Sequence, residues 1–317
     1  MATVLSSQAQ RSATPRSRSQ RRKSIQGSRW VPFAFLAPGA VYLLLFQGFP
    51  LLEELRMSFT RTSLLNPSVS EWVGLDNYVA IFTSPAFQQT LRTTLVYVIV
   101  CVVGAISVGL GSALMLNSAF RGRGLARALI AVPWAAPSVA VAVIATWMMN
   151  AQYGIVNRWL DTVGLGVPGG SILDNQTYAL PAVLATTIWQ LFPFCSVVLL
   201  AALQAVPQEV REAAMMDGAG RMWTFRVVTW PVIKPTVALL ALLMTIWSIR
   251  RFELIWIMTK GGPIGATRTL VIDLYSSAFE VKELGTAAAI GMVGVVISLG
   301  VVIASQLLTR RAERKDL

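Results

Sequence analysis

Long apolar runs separated by short polar segments dominate this chain. Six of these runs are long enough for a helix to cross a hydrocarbon layer of about 30 Å, which takes roughly 20 residues. Short alternating apolar patches, which would indicate half-exposed strands, are not the main pattern. We therefore predict an all-α, polytopic membrane protein with six transmembrane helices. The predicted spans are residues 31–52, 91–117, 126–149, 179–204, 232–258 and 286–308.

The composition supports a membrane protein and excludes several other classes. Hydrophobic residues make up 55% of the 317 residues and charged residues only 13%, against about a quarter charged residues in a soluble domain. The net charge of +12 would suit nucleic acid, but no nucleic-acid-binding motif accompanies the basic residues. The chain has no histidine, which excludes histidine triads and histidine metal ligands. Cys101 and Cys195 lie inside apolar runs, where they are expected to be packing residues, so we predict neither a catalytic nor a metal site.

The basic residues indicate the orientation in the membrane. Residues 1–30 contain seven basic residues and no acidic ones, and we interpret them as a disordered cytoplasmic tail. A signal peptide is the competing interpretation, but the apolar run that follows is too long and continues to Phe49-Pro50, where we expect a turn. With the N-terminus inside, 18 of the 27 lysines and arginines are cytoplasmic and 7 are external, as the positive-inside rule requires. The C-terminal tail, residues 311–317, is then cytoplasmic as well, after a six-span domain at residues 31–310.

A charged segment at residues 206–231 interrupts the apolar pattern between the fourth and fifth spans, on the predicted cytoplasmic side. We predict a short helix from Gln208 to Asp217. Gly218 suits the left-handed position that ends a helix. A second helix from about Arg221 is expected to stop near Trp230, because Pro231 disfavours helical geometry at the residue before it. The expected result is a helix, a sharp turn and a helix across the ends of the spans.

The residue types of this loop suit docking of another protein. Ala213 and Ala214 would let a partner approach the backbone closely, while Glu212 and Asp217 offer charge at the rim. An amphipathic helix that packs only on its own bundle would carry a similar pattern. From the residues alone, both interpretations remain open.

The same segment resembles a known family motif. Glu212-Ala213-Ala214, Gly218 and Pro231 are similar to the EAA loop of binding-protein-dependent ABC importer permeases. That family usually has isoleucine and leucine before the proline, where this chain has Val228 and Trp230.

Further segments resemble the carbohydrate-uptake branch of these permeases, which includes maltose-type and glycerol-phosphate-type members. At the position of Lys260 that branch usually has glycine. The resemblance runs from about residue 31 to residue 310, and each short motif is weak alone. The matching segments are Trp72-Val73-Gly74-Leu75-Asp76-Asn77-Tyr78, Leu203-Gln204-Ala205-Val206-Pro207, Phe252-Glu253-Leu254-Ile255-Trp256 and Thr259-Lys260-Gly261-Gly262-Pro263.

The resemblance implies a permease subunit of an ATP-driven importer in a bacterial or archaeal plasma membrane. Its implied partners are a second six-span permease, two cytoplasmic ABC ATPase subunits and an external solute-binding protein. The implied cargo is a sugar or sugar-like solute, of the oligosaccharide, polyol or glycerol-phosphate type. No lysine of this chain follows a glycine, as a phosphate-binding loop requires, so ATP and Mg would be bound by the ATPase and no cofactor by this chain. The implied ATPase-coupling residues are Glu212, Ala213, Ala214, Asp217 and Gly218.

Charged residues within the fifth predicted span mark a candidate solute pathway. Arg250, Arg251 and Glu253 would each cost about 2.5–3.5 kcal/mol inside a membrane, so they should face a cavity or one another. Arg250 and Glu253 are three residues apart and would share a helix face. Trp247 would lie on the same side.

Sugars bind to planar polar groups beside aromatic faces, and two further pairs have this composition. They are Trp189 with Gln190 in the fourth span, and Trp147 with Asn150 at the end of the third. Tryptophans that anchor the protein at the membrane interface, and charges that pair or reach toward water, would explain the same residues.

An ion-coupled secondary transporter for a small polar solute is the main alternative. Such a protein needs buried acidic residues, and Glu253 is the only one within any predicted span. We find no convincing inverted repeat, no segment resembling a selectivity filter and no constellation suited to a membrane enzyme. The residues therefore favour a permease that takes its energy from a partner.

Overall fold

The computed structural model describes residues 31–313, so the predicted N-terminal tail and residues 314–317 lie outside the described residues. The chain divides into two compact units, with the second beginning at Leu52. The described residues are helical apart from loops and one hairpin, which the all-α prediction missed. The helices are α1 (Val31–Leu43), α2 (Phe49–Ser58), α3 (Asp76–Thr83), α4 (Pro85–Asn117), α5 (Arg123–Ala135), α6 (Ser138–Met148), α7 (Ile155–Thr162), α8 (Ala179–Gln204), α9 (Gln208–Met216), α10 (Arg221–Thr224), α11 (Trp230–Ile249), α12 (Glu253–Thr259), α13 (Leu270–Tyr275) and α14 (Leu284–Glu313), and the strands are β1 (Thr60–Ser63) and β2 (Asn66–Trp72).

Six apolar segments are confirmed, but not all as straight spans. Five described helical segments are long and apolar enough to cross a membrane: Phe33–Ser58, Pro85–Asn117, Ala179–Gln204, Arg221–Ile249 and Leu284–Leu307. The remaining segment is the pair α5 and α6, which is bent by 94°. The prediction of one continuous span at residues 126–149 is therefore wrong.

The first unit continues through a proline at which a turn was predicted. Leu44–Gly48 forms a π-helical turn, and the Phe49 N–H donates to the carbonyl oxygen of Leu44, five residues back. A π turn widens the helix by one residue and so makes room for Pro50, which has no N–H to donate. The helical path therefore runs on to Ser58, and the predicted turn at Phe49-Pro50 is wrong.

The same device carries the helix through Pro231 in the second unit. Phe225–Thr229 is a π-helical turn, and the Trp230 N–H donates to the carbonyl oxygen of Phe225. The prediction that the second loop helix stops near Trp230 is wrong for this reason. The loop and the fifth span form one helical segment, Arg221–Ile249.

Helix α8 is the central helix of the second unit. Of its most apolar window, 61% is buried, against 22–28% in α4, α11 and α14. Both larger apolar cores include α8, one through Val183 and the other through Leu199. The Tyr97 hydroxyl on α4 lies 2.9 Å from the Thr187 hydroxyl on α8 and forms a buried hydrogen bond with it.

The segment Trp72–Tyr78, which resembles a family motif, fastens the hairpin to the end of α2. Asn77 Nδ2 donates to the backbone carbonyls of Ser58 and Thr60, each at 2.9 Å. The Tyr78 hydroxyl donates to Ser58 Oγ at 2.7 Å. The two Asn77 bonds satisfy carbonyls left over where α2 ends and β1 begins, so the motif has a structural role.

The fifth span ends before its charged residues. Helix α11 ends at Ile249, Arg250 is its cap, and α12 begins only at Glu253. The prediction of a continuous helix over residues 232–258 is therefore wrong, and so is the shared helix face of Arg250 and Glu253. The short helices α12 and α6 pack on each other in one apolar core, through Leu254, Ile255 and Met258 against Val141, Ala142 and Ala145.

Lys260 occupies a backbone conformation that suits glycine. It follows α12 with φ 51° and ψ 28°, in the left-handed region. A Cβ atom makes this region unfavourable, which explains why glycine is usual at this position in the family that the sequence resembles. The lysine therefore carries a local conformational cost.

We predict that Gly285→Ala destabilises the second unit. A Cβ at Gly285 would collide with the Thr60 carbonyl oxygen, so the hairpin must move from α14 at a cost of about 1–3 kcal/mol. Gly294→Ala is the control on the same helix, because nothing lies within 4 Å of its Cβ position. Thermal unfolding of the detergent-purified protein should show a lower midpoint for Gly285→Ala alone. An equal midpoint in the two variants would contradict the described contact.

We predict that Lys260→Gly stabilises the protein by about 1 kcal/mol, because glycine adopts the left-handed conformation without a Cβ clash. The same thermal unfolding assay should show a rise of the midpoint by roughly 2–4 °C. Lys260→Ala is the matched control: it removes the same charge but keeps a Cβ, so its midpoint should not rise. Equal stabilisation by both substitutions would mean that loss of the lysine charge, and not relief of the Cβ clash, raises the midpoint.

Candidate functional site

A cavity of about 430 Å³ lies where two broken helices meet the central helix α8. It contains most of the polar residues predicted for the fourth and fifth spans, together with several that the sequence analysis did not single out. The lining residues are Trp134, Ala135, Ala136, Pro137, Ser138, Gln190, Leu191, Trp247, Arg250, Arg251 and Glu253.

The break between α5 and α6 forms one wall of the cavity. Ala136 has extended geometry, with φ −75° and ψ 138°, because the ring of Pro137 disfavours a helical residue before it. Non-helical backbone at membrane depth is tolerated where it is buried in protein or lines a polar cavity. This break therefore exposes backbone groups that can contact a solute.

Gln190 connects the two breaks. Its side chain is buried, with 4% exposed, and its Nε2 donates to the Ala136 carbonyl oxygen at 3.3 Å. Its Oε1 accepts from Arg251 Nη2 at 3.1 Å. The amide thus satisfies the carbonyl freed at the first break and orients the guanidinium at the second.

Aromatic rings form the apolar side of the cavity. Phe194 lies between two tryptophans, with ring centroids 5.4 Å from Trp134 and 5.1 Å from Trp247. Both tryptophans remain partly exposed, Trp134 by 50% and Trp247 by 38%. Such faces can cover the C–H patches of a sugar ring, while the polar groups opposite bind its hydroxyls.

The cavity carries more positive than negative charge. Arg250 and Glu253 are exposed and Arg251 is partly buried. None of these three takes part in an ion pair with another described residue. An ion pair between Arg250 and Glu253 was one interpretation of the sequence, and the break of the helix between them explains why they do not pair. Ser138, the first residue of α6, also lines the cavity, so the positive end of that helix dipole lies there.

Aromatic packing holds the residues between α11 and α12 in place. The Phe252 ring stacks on Trp256 at 5.6 Å and contacts Tyr275 at 4.8 Å. Trp256 meets the edge of Tyr275 at 4.6 Å. This packing fixes the backbone that carries Arg250 and Arg251.

Three predicted pathway residues do not reach the cavity. Trp189 is 49% exposed and does not line the cavity, although the adjacent Gln190 does, and Trp147 is 62% exposed on α6. Asn150 ends the turn after α6, where its Oδ1 accepts the N–H groups of Gln152 and Tyr153. Of the predicted pathway set, the structure brings together Trp247, Arg250, Arg251, Glu253 and Gln190.

Trp134 and the bend at Pro137 were missed by the sequence analysis. The available signal was Pro137 itself, since a proline within an apolar run can end a helix one residue earlier. Phe194 carried no such signal, because its part in the aromatic wall depends on two helices that are distant in sequence.

The candidate coupling loop forms the predicted short helix and turn. Helix α9 ends in a left-handed Gly218, with φ 81°. The Gly218 N–H donates to the Met215 carbonyl and the Ala219 N–H to the Ala214 carbonyl, which is the Schellman arrangement. The predicted role of Gly218 at the helix end is therefore confirmed.

The two alanines of this loop face different surroundings. Ala214 is only 9% exposed, so it packs on its own chain, whereas Ala213 is exposed. Glu212 is exposed as well and accepts a hydrogen bond from Gln208 at 2.6 Å. Asp217 is exposed at the cap of α9. A partner could reach Glu212, Ala213 and Asp217, whereas Ala214 is covered by its own chain.

The two departures from the family pattern before Pro231 are accommodated differently. Val228 packs against the apolar core that α8 shares with α11. Trp230 is 37% exposed, and its ring lies 6.2 Å from that of Phe225. The larger side chain is thus placed at the surface without a break in the helix.

Comparison with known proteins gives a consistent result. A family model described as binding-protein-dependent transport system inner membrane component matches residues 105–314. The sulfoquinovosyl glycerol transport system permease protein SmoG of Agrobacterium fabrum is 32% identical over 86% of this chain and 88% of its own length. The trehalose/maltose transport system permease protein MalF of Thermococcus litoralis is 32% identical over 84% of this chain and 89% of its own length.

A solved structure shares the fold. One chain of a bacterial ABC transporter involved in the import of the acidic polysaccharide alginate superposes with a TM-score of 0.76. It covers 89% of this chain and 96% of its own length at 24% identity, and it therefore supports the fold alone.

We predict that Gln190→Ala destabilises the protein. The change leaves the Ala136 carbonyl and the Arg251 guanidinium without their described partner, which costs about 1–3 kcal/mol for buried polar groups. Gln204→Ala is the matched control, because Gln204 is exposed at the end of the same helix. Thermal unfolding should show a lower midpoint for Gln190→Ala only. Equal midpoints for both variants would contradict the bridging role of Gln190.

Proposed function

This chain belongs to the family of binding-protein-dependent transport system inner membrane components, and on that premise we propose that it imports a sugar or sugar-like solute as one permease of an ATP-driven importer. The observation that carries the proposal is the cavity at the two helix breaks, where tryptophan faces and planar polar groups converge. The names of two relatives refer to the transport of a sulfoquinovosyl glycerol and of trehalose and maltose, which supports a solute of this class.

The solute path in this proposal passes through the cavity. Trp134 and Trp247 cover the apolar faces of the sugar. Gln190 keeps its hydrogen bonds to Ala136 and Arg251, and so holds the two helix breaks together while the solute passes. Trp189, Trp147 and Asn150 do not line this cavity, so the proposed path does not include them.

The proposed importer needs three kinds of partner: a second permease, ATPase subunits and a solute-binding protein. The chain forms a heterodimer with a second six-span permease, and two ABC ATPase subunits bind ATP and Mg and supply the energy. An external binding protein delivers the solute. A solved alginate transporter was crystallised with an alginate pentasaccharide-bound periplasmic protein, and its fold is that of this chain.

The ATPase docks on α9 in this proposal. Glu212 and Asp217 offer exposed charge, and the exposed Ala213 lets the ATPase approach the helix backbone. Ala214 and Gly218 keep α9 packed and terminated in the correct geometry. Met216, which is 88% exposed at the end of α9, adds an adaptable apolar contact.

The continuous helix from the loop to the cavity gives the proposal a mechanical basis. Arg221–Ile249 has 29 residues, which corresponds to roughly 44 Å at 1.5 Å per residue. Trp247 lies near one end of this segment and the coupling loop lies at the other. A displacement of α9 by the ATPase would therefore move one wall of the cavity directly.

The orientation in this proposal places both termini and the coupling loop in the cytoplasm of a bacterial or archaeal cell, with the protein in the plasma membrane. The excess of basic residues in the predicted cytoplasmic segments supports it. The ion-coupled alternative has less support, because Glu253 is exposed in a cavity that also holds two arginines.

Purification of the tagged chain from its native membrane in mild detergent tests the assembly. Mass spectrometry should find an ABC ATPase and a second permease in a fixed ratio to this chain. Purification of the chain alone, together with solute uptake after reconstitution without ATP, would contradict the proposal and support the ion-coupled transporter.

We predict that Glu212→Arg lowers the amount of co-purified ATPase by about tenfold, because a reversed charge at the rim of a docking surface costs on the order of 1.4 kcal/mol. Membrane insertion should be unchanged, since Glu212 is exposed. Glu71→Arg is the matched control: it reverses the same charge on the exposed strand β2, outside the loop. Unchanged ATPase recovery and transport in Glu212→Arg would exclude α9 as the docking site.

A further inference from the structure

The charge balance of the cavity narrows the class of solute. Arg250 and Arg251 are adjacent in the break between α11 and α12 and both line the cavity. The lining contains one acidic residue, Glu253. One carboxylate cannot neutralise two guanidinium groups, so the lining keeps a net positive charge even with Glu253 ionised.

The described partner of Arg251 does not compensate its charge. Its Nη2 donates to the neutral amide oxygen of Gln190, and its Nε is buried without a hydrogen-bond partner. No acidic oxygen of the described residues lies within ion-pair distance of either arginine. The guanidinium of Arg251 is therefore positioned by Gln190 but remains electrically unpaired.

From these observations we infer that the transported solute carries an anionic oxyacid group, a carboxylate or sulfonate on a sugar, that binds to Arg250 and Arg251. This inference rests on the proposed function, because it concerns the solute of the same cavity. Guanidinium groups bind the oxygens of carboxylates and related anions with charge-assisted, often paired hydrogen bonds. A neutral sugar would leave the charge of Arg251 uncompensated in a partly desolvated site.

The remaining lining residues suit the rest of such a solute. The tryptophan faces of Trp134 and Trp247 cover the ring, and Glu253 can accept hydrogen bonds from its hydroxyls. The first turn of α6, which reaches the cavity at Ser138, adds positive potential from backbone dipoles. Arg250 and Arg251 thus act as specificity-determining residues, and Gln190 as the residue that positions Arg251.

The potential of the cavity can be measured without knowledge of the natural solute. Cys101 and Cys195, both buried with 0% exposed, are first changed to alanine. Ser138→Cys then places one reactive thiol in the lining. The assembled complex in detergent is treated with two methanethiosulfonate reagents of similar size, one with a sulfonate group and one with a trimethylammonium group. For each reagent, the rate of labelling of the Ser138→Cys thiol is divided by its rate with a free thiol in solution, which corrects for the difference in intrinsic reactivity.

We expect the sulfonate reagent to be favoured by about tenfold, because fixed charges in a cavity with low-dielectric walls raise the local concentration of counter-ions. Arg250→Gln with Arg251→Gln should abolish this preference, and Glu253→Gln should increase it. Arg158→Gln is the matched control, since it removes the same charge from an exposed residue outside the cavity. It should leave the ratio unchanged.

A pair of sugars then tests binding of the anionic group itself. Methyl glucuronide and methyl glucoside differ only in the carboxylate that replaces a hydroxymethyl group. At equal concentration, the glucuronide should slow labelling of the Ser138→Cys thiol at least fivefold more than the glucoside does. The difference should disappear in the variant with Arg250→Gln and Arg251→Gln.

Each outcome of these measurements decides a distinct question. Equal labelling by both reagents, equal protection by both sugars, or a preference that survives loss of the arginines would overturn the inference while the importer proposal stands. Labelling by neither reagent would show that solutes do not enter the cavity and would overturn the inference together with the solute path. Loss of co-purified ATPase and permease bears on the assembly alone.

Discussion

A helix that is broken inside an apolar environment leaves amide and carbonyl groups that water cannot reach, and each must be paired within the protein. In this permease two such breaks lie beside one another. Gln190 satisfies the Ala136 carbonyl at the first break and holds Arg251 at the second. Pro137 causes the first break, and the buried amide on the central helix pairs the carbonyl that this break frees and links it to Arg251 at the second break, so that both breaks border the polar cavity.

A second feature is the π turn that precedes two of the helical prolines, although α5, α8 and α11 continue through Pro133, Pro193 and Pro235 without such a turn directly before them. It carries the helical path through Pro50 and again through Pro231. At Pro137 no such turn precedes the proline, and the helix breaks with a bend of 94°. Proline thus lies within a continuous helix between the loop and the cavity in one place, and at a helix break that lines the cavity in another.

The number of apolar segments and the end of the loop helix α9 were predicted well, because both depend on local patterns. These patterns are a run of about 20 apolar residues and a glycine at the end of a helix, here Gly218. Local patterns did not predict which prolines break a helix. Pro137 breaks a helix, whereas the helices continue through Pro193 and Pro231, so a proline in an apolar run does not by itself show where a helix breaks. Of the residues predicted for the pathway, Arg251 and Gln190 line the cavity, whereas Trp147 and Asn150 do not. That distinction depends on packing between distant helices, as does the aromatic wall around Phe194.

The central claim is that solute passes between the two helix breaks. A structure of the assembled complex, trapped with its binding protein and the solute that co-purifies with that protein, would test it most directly. The account predicts solute density against Trp247 and Arg251, with the Gln190 amide beside it. Solute density at another place in the two permease subunits, together with side chains that fill this cavity, would contradict the account.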